Sequence, residues 1–511
     1  MKYTEKSIIK NAFYLLIKLV FTMFANLYIS RVVLNVLGVT DFGIYNVVTG
    51  LVIMLTMVTG TLSSAISRFL NYDMGKNGNN LNIIYSSSIT FHIILAVIIT
   101  SFGWIFSQYI IYDFINIPVN REDSALIVFY CAIISFSVTL CSVTFNALII
   151  AHEDMKVYSG IGIVEIIFKL ISLNFLQEIT YDKLELYSFL FMLGVFLSFV
   201  LNFTYAKIFY NRIKFTFKMD KKIFFEICKF SGWNSIGVSS SILKDQGVNI
   251  LLNMFFGAQI NAARAISFQV NSAVSSVVNQ LMLAINPRIT KLLSSNEVDE
   301  SINLAFNSSR YSFYFLLLLS TPLLIEVDNI LNFWLVHIPE YSAVFIRLLI
   351  INLLIDSLSG PIITLMLANG RIRNYQIVVG IVNGLNFPIS YLFLTLGYGP
   401  QATIIISIFI SIINLYLRVY MLSKEVSISI NDFFFGVVVN TFLISIFVFL
   451  ISLFCSQLIN YLFISGFYTM IINIVVTTFF SLIIIMLGLK DEERKFILNK
   501  ITHFYKLRFN N

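Results

Sequence analysis

Charged residues are scarce in this chain of 511 residues, where they make up 12% of the sequence. A soluble globular protein has about 25%. Proline is also rare, with 7 copies, and tryptophan is rarer, with 3. Few prolines leave long helices uninterrupted, and 58% of the residues are hydrophobic, with a mean hydropathy of +0.85. The composition therefore excludes a soluble globular protein and predicts an all-α integral membrane protein.

Cysteine is limited to 4 copies, and these have no short metal-type spacing. We expect free thiols and no metal site. The glycine-rich motif with which ATP-driven proteins hold phosphate is also absent from the sequence. We therefore expect no cofactor and no direct use of ATP.

Apolar segments of about 20 residues, separated by short polar breaks, predict transmembrane helices. The first such segment follows a basic N-terminus and continues to about Gly38 without a small-residue cleavage site, so we expect it to be a retained helix rather than a signal peptide. In all, the sequence predicts fourteen helices: Asn11–Leu37, Phe42–Leu70, Ile83–Ile110, Ser124–Ile150, Val157–Leu176, Leu186–Phe209, Phe230–Phe256, Asn261–Ile285, Leu304–Phe333, Tyr341–Leu367, Tyr375–Leu396, Ala402–Leu422, Phe433–Gln457 and Leu462–Leu487.

The positive residues support this map, because cytoplasmic loops of membrane proteins carry an excess of Lys and Arg. Most of the 34 Lys and Arg residues fall on one side when the N-terminus is cytoplasmic. The loops of the opposite side are acidic, with Asp113, Glu122, Asp182 and Glu340 among their charges. We expect both termini in the cytoplasm. The net charge of +7 follows from this topology and predicts no nucleic-acid partner.

An internal repeat divides the chain. The segment "VLNVLG" ending at Gly38 matches "LLNMFFG" ending at Gly257, and "ISRF" with Arg68 matches "NPRI" with Arg288 at nearly the same offset. Duplicated bundles of this kind are a common plan of transporters, with the substrate site between the copies. The predicted divisions are an N-terminal six-helix lobe over 1–209, a basic cytoplasmic linker over 210–229, a C-terminal six-helix lobe over 230–424, two extra transmembrane helices over 425–489 and a basic cytoplasmic tail over 490–511.

Three segments carry a family resemblance: "SRVVLNVLGVTDFGIYNVVTG" with "GTLSSAISRFL", "NAARAISFQVNSAVSSVVNQLMLAINPRI", and "GPIITLMLANGRIRNYQ". In these segments the chain resembles the polysaccharide transport family of the multidrug/oligosaccharidyl-lipid/polysaccharide exporter superfamily, the O-antigen flippase type. The resemblance covers essentially the whole chain but names no substrate. It implies a V-shaped pair of six-helix lobes, inward- and outward-open states, and movement of a lipid-linked oligosaccharide to the outer leaflet, often with a cation gradient.

The adjacent pair Lys244–Asp245 is unusual, because it lies in the middle of an otherwise uncharged predicted helix. A charge at the centre of a membrane helix costs roughly 2.5–3.5 kcal/mol on insertion scales. The pair is either a buried structural pair with another helix, or Lys244 binds substrate and Asp245 couples a cation or proton. The repeat aligns the pair with the uncharged Ala25 and Asn26, and this asymmetry favours a functional role.

Three further cations are candidates for binding the pyrophosphate of a lipid-linked substrate, since Lys and Arg both suit phosphate. Lys18 either faces a cavity or extends its long side chain to the cytoplasmic interface, and the resemblance favours the cavity. Arg31 is most simply an interfacial anchor. Arg264 is either an anchor or a cavity residue, because helices one, two, seven and eight border the cleft in the family that the chain resembles.

Two acidic side chains besides Asp245 are candidates for ion coupling. Glu165 and Lys169 have the i,i+4 order of an internal ion pair, with a proton relay as the alternative. Asp356 has Asn352 one turn before it in a predicted polar helix, and it is a candidate coupling residue.

We therefore expect a flippase of the bacterial inner (cytoplasmic) membrane, and not an enzyme. It would move an undecaprenyl-pyrophosphate-linked O-antigen, capsule or exopolysaccharide unit by alternating access, as an antiporter coupled to H⁺ or Na⁺. Membrane lipids, polysaccharide polymerase and glycosyltransferases are the expected partners. A cation-coupled multidrug exporter of the same superfamily and a peptidoglycan lipid-precursor flippase are the alternatives. A membrane enzyme would need a sizeable outer loop with catalytic groups, and no predicted outer break supplies one.

Overall fold

The computed structural model describes residues 5–55, 66, 81–152, 154–178, 181–210, 240, 242, 244–295, 297–369, 372–426, 428–462, 466–489 and 494. Every regular element in these ranges is helical, which confirms the predicted all-α class. Residues 244–256 are helical. The other helices are α1 Glu5–Ile53, α2 Leu81–Gln108, α3 Glu122–Ala151, α4 Met155–Glu178, α5 Lys183–Phe209, α6 Ala258–Ser294, α7 Val298–Ile325, α8 Val327–Trp334, α9 Ser342–Asn369, α10 Ile372–Gly384, α11 Asn386–Thr395, α12 Ala402–Glu425, α13 Ile430–Phe433, α14 Asn440–Leu462 and α15 Phe467–Gly488.

Within the described ranges, 10 helices are long and apolar enough to cross a membrane, or 11 if α7 and α8, which meet at a 74° bend, form one span. Three of the fourteen predicted spans are not in this count, each for a different reason. Helix two follows the non-helical Gly38 within α1 and is described only to residue 55, apart from residue 66. Helix seven is described only from residue 244 except for two isolated positions, and α6 is rich in Ser, Asn and Gln. The chain is a multi-pass membrane protein, and the count of fourteen stays a prediction.

The outer surface of the helices has the character expected of a lipid contact. In α2 the side chains of Phe102, Trp104 and Ile105 are 60%, 63% and 71% exposed. A soluble protein rarely exposes so large a contiguous apolar patch. Lipid tails are the natural partner for these side chains.

Glycine permits a sharp change of direction at the two matched points of the repeat. Gly38 interrupts α1 with a φ of 78°, and Gly257 separates the 244–256 helix from α6 with a φ of 76°. Only glycine adopts this left-handed region without steric cost. The two glycines matched in the sequence repeat thus have nearly the same positive φ.

The chain divides into two compact units, which we describe separately. The first unit comprises Met1–Gln269, Leu335–Ser342 and Gln376–Thr403, and the second comprises Val270–Trp334, Ala343–Tyr375 and Ile404–Asn511. Apart from Tyr210 and Arg494, the predicted linker over 210–229 and the tail over 490–511 lie outside the described residues. The predicted lobe boundaries therefore stay predictions.

The core of the first unit lies between α1, α2 and α3. Its buried side chains are mostly branched and aromatic, including Val47 and Val48 of α1 and Phe129 and Phe136 of α3.

Cys131, Cys141 and Cys455 are free thiols, as predicted for those three positions.

In the second unit α14 and α15 pack against α7, and a buried carboxylate lies at this contact. Glu326, between α7 and α8, is 2% exposed. It accepts hydrogen bonds from Asn473 Nδ2 at 2.8 Å, from Ser456 Oγ at 3.5 Å and from Asn329 Nδ2 at 2.7 Å. Because a buried charge needs such donors, this network ties the last two helices to the α7–α8 bend.

Candidate functional site

Arg264 is the most deeply buried of the cations predicted to bind substrate, with 5% of its surface exposed. It lies in the second turn of α6, close to the bend at Gly257. One guanidinium nitrogen donates to the backbone carbonyl oxygen of Asp245 at 2.9 Å, and the guanidinium lies 4.4 Å from the ring centroid of Phe268. The remaining guanidinium N–H groups have no partner among the described residues, so they are available to an anion.

The bend at Gly257 fixes the position of this arginine. Asn261, one turn before Arg264, donates from Nδ2 to both the backbone oxygen and Oδ1 of Asn249, each at 2.8 Å. These bonds join α6 to the 244–256 helix on the face that carries Arg264. The sequence thus places a cation next to a polar seam at the junction of two helices.

Arg264 opens onto a cleft of about 150 Å³ in the first unit, which we call the arginine cleft. Amides and hydroxyl groups outnumber other polar side chains on its walls. A guanidinium among amide and hydroxyl groups suits a phosphate or pyrophosphate, although the carboxylate of Asp245 also lines the cleft. The polar lining of the cleft includes Asn46, Thr49, Asp245, Gln246, Asn249 and Arg264.

A second space, of about 350 Å³, adjoins α1 and is called the aromatic cavity. Its lining includes the rings of Tyr45, Tyr187 and Phe191, contributed by α1 and α5. Asn46 and Thr49 line both this cavity and the arginine cleft. The two spaces therefore share a wall on α1.

The charged pair that the sequence singled out lies beside the arginine cleft. Asp245 is exposed and lines the cleft, and Lys244 is half-buried. Both residues interact with other parts of the chain. Asp245 supplies its backbone oxygen to Arg264, and the two side chains also attract each other through their opposite charges.

The other two cations predicted to bind substrate have different surroundings. Lys18 is half-buried, with Nζ 3.9 Å from the ring centroid of Tyr158, and it packs against Gly162 of α4. Arg31 is exposed. Neither residue is among those described as lining the arginine cleft or the aromatic cavity.

Glu165 and Lys169 form the predicted i,i+4 ion pair in α4, with 2.7 Å between Oε1 and Nζ. Lys169 Nζ also lies 3.9 Å from the ring centroid of Phe191, so the pair adjoins the aromatic cavity. Asp356 belongs to the second unit, where its Oδ2 accepts a hydrogen bond from Asn352 Nδ2 at 3.1 Å. The structure thus contains both local pairs that the sequence spacing indicated.

Sequence reasoning missed the residues of the shared wall and of the aromatic cavity. Asn46, Thr49 and Gly50 follow an i, i+3, i+4 pattern, which places them on one face of an apolar helix. That pattern was a usable signal for a polar seam. Tyr187 and Phe191 gave no comparable signal, because aromatic residues are common throughout the chain.

The chain is similar to one known protein family and to several solved structures. A family model described as "Polysaccharide biosynthesis protein" matches residues 8–293. No curated protein matches the chain at the level of sequence.

Solved structures share the fold at low sequence identity. The lipid II flippase MurJ, in an inward closed conformation, has a TM-score of 0.64 at 14% identity, over 93% of this chain and 98% of that chain. An inward-facing multidrug resistance MATE family transporter of the MOP superfamily has a TM-score of 0.59 at 11% identity, over 80% and 95% of the two chains. MATE in complex with MaD3S has a TM-score of 0.55 at 12% identity, over 82% and 96%. The chain has the fold of these MOP-superfamily transporters.

Proposed function

The chain belongs to the polysaccharide biosynthesis protein family, and we propose that it is a flippase for an undecaprenyl-pyrophosphate-linked oligosaccharide. The substrate would be the repeat unit of an O-antigen, a capsule or an exopolysaccharide. The protein would carry it by alternating access from the cytoplasmic to the outer leaflet of the bacterial inner membrane, with both of its own termini in the cytoplasm. Its many apolar helices and its similarity in fold to transporters support this proposal.

The observation that carries the proposal is the environment of Arg264. A guanidinium is costly to bury unless it has partners, and among the described residues its hydrogen-bond acceptor is one backbone oxygen, so that N–H groups remain beside an open cleft. Hydrogen bonds that involve an ionised group are roughly twice as strong as neutral ones. A pyrophosphate in the arginine cleft would supply the missing acceptors.

Coupling to H⁺ or Na⁺ is the second part of the proposal, with Asp245 as its centre. Without substrate, the Asp245 carboxylate balances the charge of Arg264 across the cleft. When a pyrophosphate engages Arg264, two anions face each other, and Asp245 then binds a cation. Glu165 and Asp356 are further candidate coupling residues, while Lys18, Arg31 and Lys244 are further candidates for attracting the anionic headgroup.

Substitution of Arg264 tests the proposed role. In cells that lack the chromosomal copy, Arg264→Gln is expected to lower surface glycan at least about tenfold. The reason is that a hydrogen bond to a charged group contributes roughly 1.5–3 kcal/mol and about 1.4 kcal/mol corresponds to a factor of ten. Arg264→Lys keeps the charge but loses the planar fork, so it should restore export only in part. Surface glycan is measured by immunoblot or mass spectrometry at matched levels of membrane protein.

Arg347→Gln is the matched control, because Arg347 is a partly exposed arginine whose 2.6 Å ion pair with Asp328 lies in the second unit. Such surface pairs contribute about 0–1 kcal/mol, so export should be close to normal. Normal glycan export by Arg264→Gln would remove the pyrophosphate role. A change in drug tolerance instead of glycan export would favour the multidrug-exporter alternative.

A further inference from the structure

The aromatic cavity has a surface chemistry distinct from that of the arginine cleft. Its rings are inclined to one another: Tyr45 and Tyr187 have centroids 4.7 Å apart at 60°, and Tyr45 and Phe191 have centroids 6.3 Å apart at 70°. Lys169 covers one face of Phe191. The three rings form an inclined corner in the wall of the cavity, where a ligand with apolar C–H faces can pack.

The serine and threonine hydroxyls of the cavity have already used their own protons. Thr49 Oγ1 donates to Tyr45 O at 2.6 Å, Ser135 Oγ to Cys131 O at 2.7 Å, and Thr139 Oγ1 to Ser135 O at 2.8 Å. Ser188 Oγ donates to Leu184 O at 2.9 Å in the same way. Each hydroxyl oxygen still has a lone pair for a ligand. The cavity therefore suits a ligand that brings hydrogen-bond donors.

The cavity also disfavours charge. None of the described residues that line it is Asp, Glu, Lys, Arg or His. Lys169 beside the cavity is paired with Glu165, so a phosphate there would find few free donors, and an unpaired charge is costly to desolvate. A neutral molecule with hydroxyl groups on an apolar frame meets these conditions, and its volume of about 350 Å³ is within the range of small-molecule sites.

From these features we propose that the aromatic cavity is the sugar subsite of the flippase, where a neutral saccharide ring of the lipid-linked glycan packs against Tyr45, Tyr187 and Phe191. This inference rests on the proposed function, because it assumes that the pyrophosphate occupies the arginine cleft. The wall that the two spaces share, formed by Asn46 and Thr49, supports this assignment of the sugar to one space and the pyrophosphate to the other. It places the sugar next to the phosphate to which it is covalently joined.

The test compares the binding of two lipids to the purified protein. One probe is the undecaprenyl-pyrophosphate-linked glycan extracted from cells without the transporter, and the other is undecaprenyl pyrophosphate without sugar. Phe191→Leu, which removes a ring but keeps an apolar side chain, should weaken binding of the glycan-bearing lipid at least about fivefold and leave the bare lipid unchanged. Arg264→Gln should weaken both.

Two further variants keep the test decisive. Phe196→Leu on the same helix changes a phenylalanine that is 51% exposed and outside the cavity lining, so it should bind both lipids normally. Thr139→Val keeps the shape but removes an acceptor oxygen, and it should lower only glycan binding even if Phe191→Leu does not fold.

Equal effects of Phe191→Leu and Thr139→Val on both lipids, or no effect on either, would overturn the sugar subsite. If Arg264→Gln still weakens both lipids in that case, the proposed flippase function stands without the subsite. If Arg264→Gln leaves both affinities unchanged, the pyrophosphate site itself is wrong. Tighter binding of apolar drugs than of the glycan-bearing lipid, lost in Phe191→Leu, would show a drug pocket and also overturn the subsite.

Discussion

At the scale of single residues, the sequence identified Arg264 but not the reason for its importance. A lone arginine near the end of a predicted helix is often an interfacial anchor, and only packing shows that it is 5% exposed. It donates a hydrogen bond to the backbone oxygen of Asp245, a residue that is exposed and lines the same cleft. Such a contact depends on side-chain geometry, which no spacing rule encodes.

A second arginine joins two helices of the first unit. Arg121 forms ion pairs with Asp41 of α1 at 2.6 Å and with Asp182 at 2.5 Å. Asp182 is also the N-cap of α5, where its side chain accepts from the backbone N–H groups of Leu184 and Glu185. Burial alone would raise the pKa of Asp182, but the hydrogen bonds from Arg121 and from these two N–H groups lower it below the ordinary value of 3.8.

This lowered pKa predicts a pH-dependent stability. A carboxyl whose folded pKa is below its unfolded value stabilises the fold above the unfolded pKa, and the contribution is lost as the pH falls through the folded pKa. Asp182→Asn keeps the cap but removes the ion pair, so it should lower the free energy of unfolding by about 0.5–1 kcal/mol at pH 7. Thermal unfolding in detergent from pH 7 to pH 3 should show the gap between the two proteins closing toward pH 3.

The control for this experiment is Asp182→Ala, which also removes the cap and should cost about 1 kcal/mol more at pH 7. A gap between wild type and Asp182→Asn that is the same at pH 3 and pH 7 would show that the ion pair with Arg121 contributes nothing to stability.

At the scale of helices, the sequence located most spans and also the break between the first two. It predicted that helix one ends at Leu37 and that helix two begins at Phe42, and the backbone is non-helical at Gly38, between those two residues. The aromatic cavity could not be predicted in this way, because its rings come from α1 and α5 and meet only after those helices pack.

Glycine also sets the distance between two of these elements. A Cβ added at Gly43 in α1 would overlap the backbone carbonyl of Ala258 at the start of α6, whereas a Cβ at Gly160 in α4 has open space. Gly43→Ala should therefore destabilise the protein, because a backbone carbonyl cannot move aside as a side chain can. Gly160→Ala should stabilise it by about 0.5–1 kcal/mol, since alanine favours the helix.

Replacing glycine by alanine is thus expected to lower the stability of the protein at Gly43 and to raise it at Gly160. Melting temperatures of the purified variants, together with membrane expression levels, measure both effects. A stable Gly43→Ala protein with normal export would show that α1 and α6 do not need this close approach.

At the scale of the whole molecule, most of the predicted site residues lie in one unit. Lys18, Arg31, Glu165, Lys244, Asp245 and Arg264 belong to the first unit, and Asp356 belongs to the second. Composition and the distribution of positive charge were sufficient to predict a multi-pass membrane protein, because those signals add up over hundreds of residues. The arginine cleft and the neighbouring aromatic cavity each depend on a few side chains, and their proximity is visible only in the folded chain.

The central claim is that this protein moves an undecaprenyl-linked glycan across the membrane. The most direct measurement is mass spectrometry of the undecaprenyl-linked lipids in cells from which the gene has been deleted. We predict that undecaprenyl pyrophosphate carrying a complete glycan repeat unit accumulates, and that the wild-type gene reverses this while Arg264→Gln does not. Unchanged lipid-linked intermediates, or accumulation of the peptidoglycan lipid precursor alone, would contradict the account.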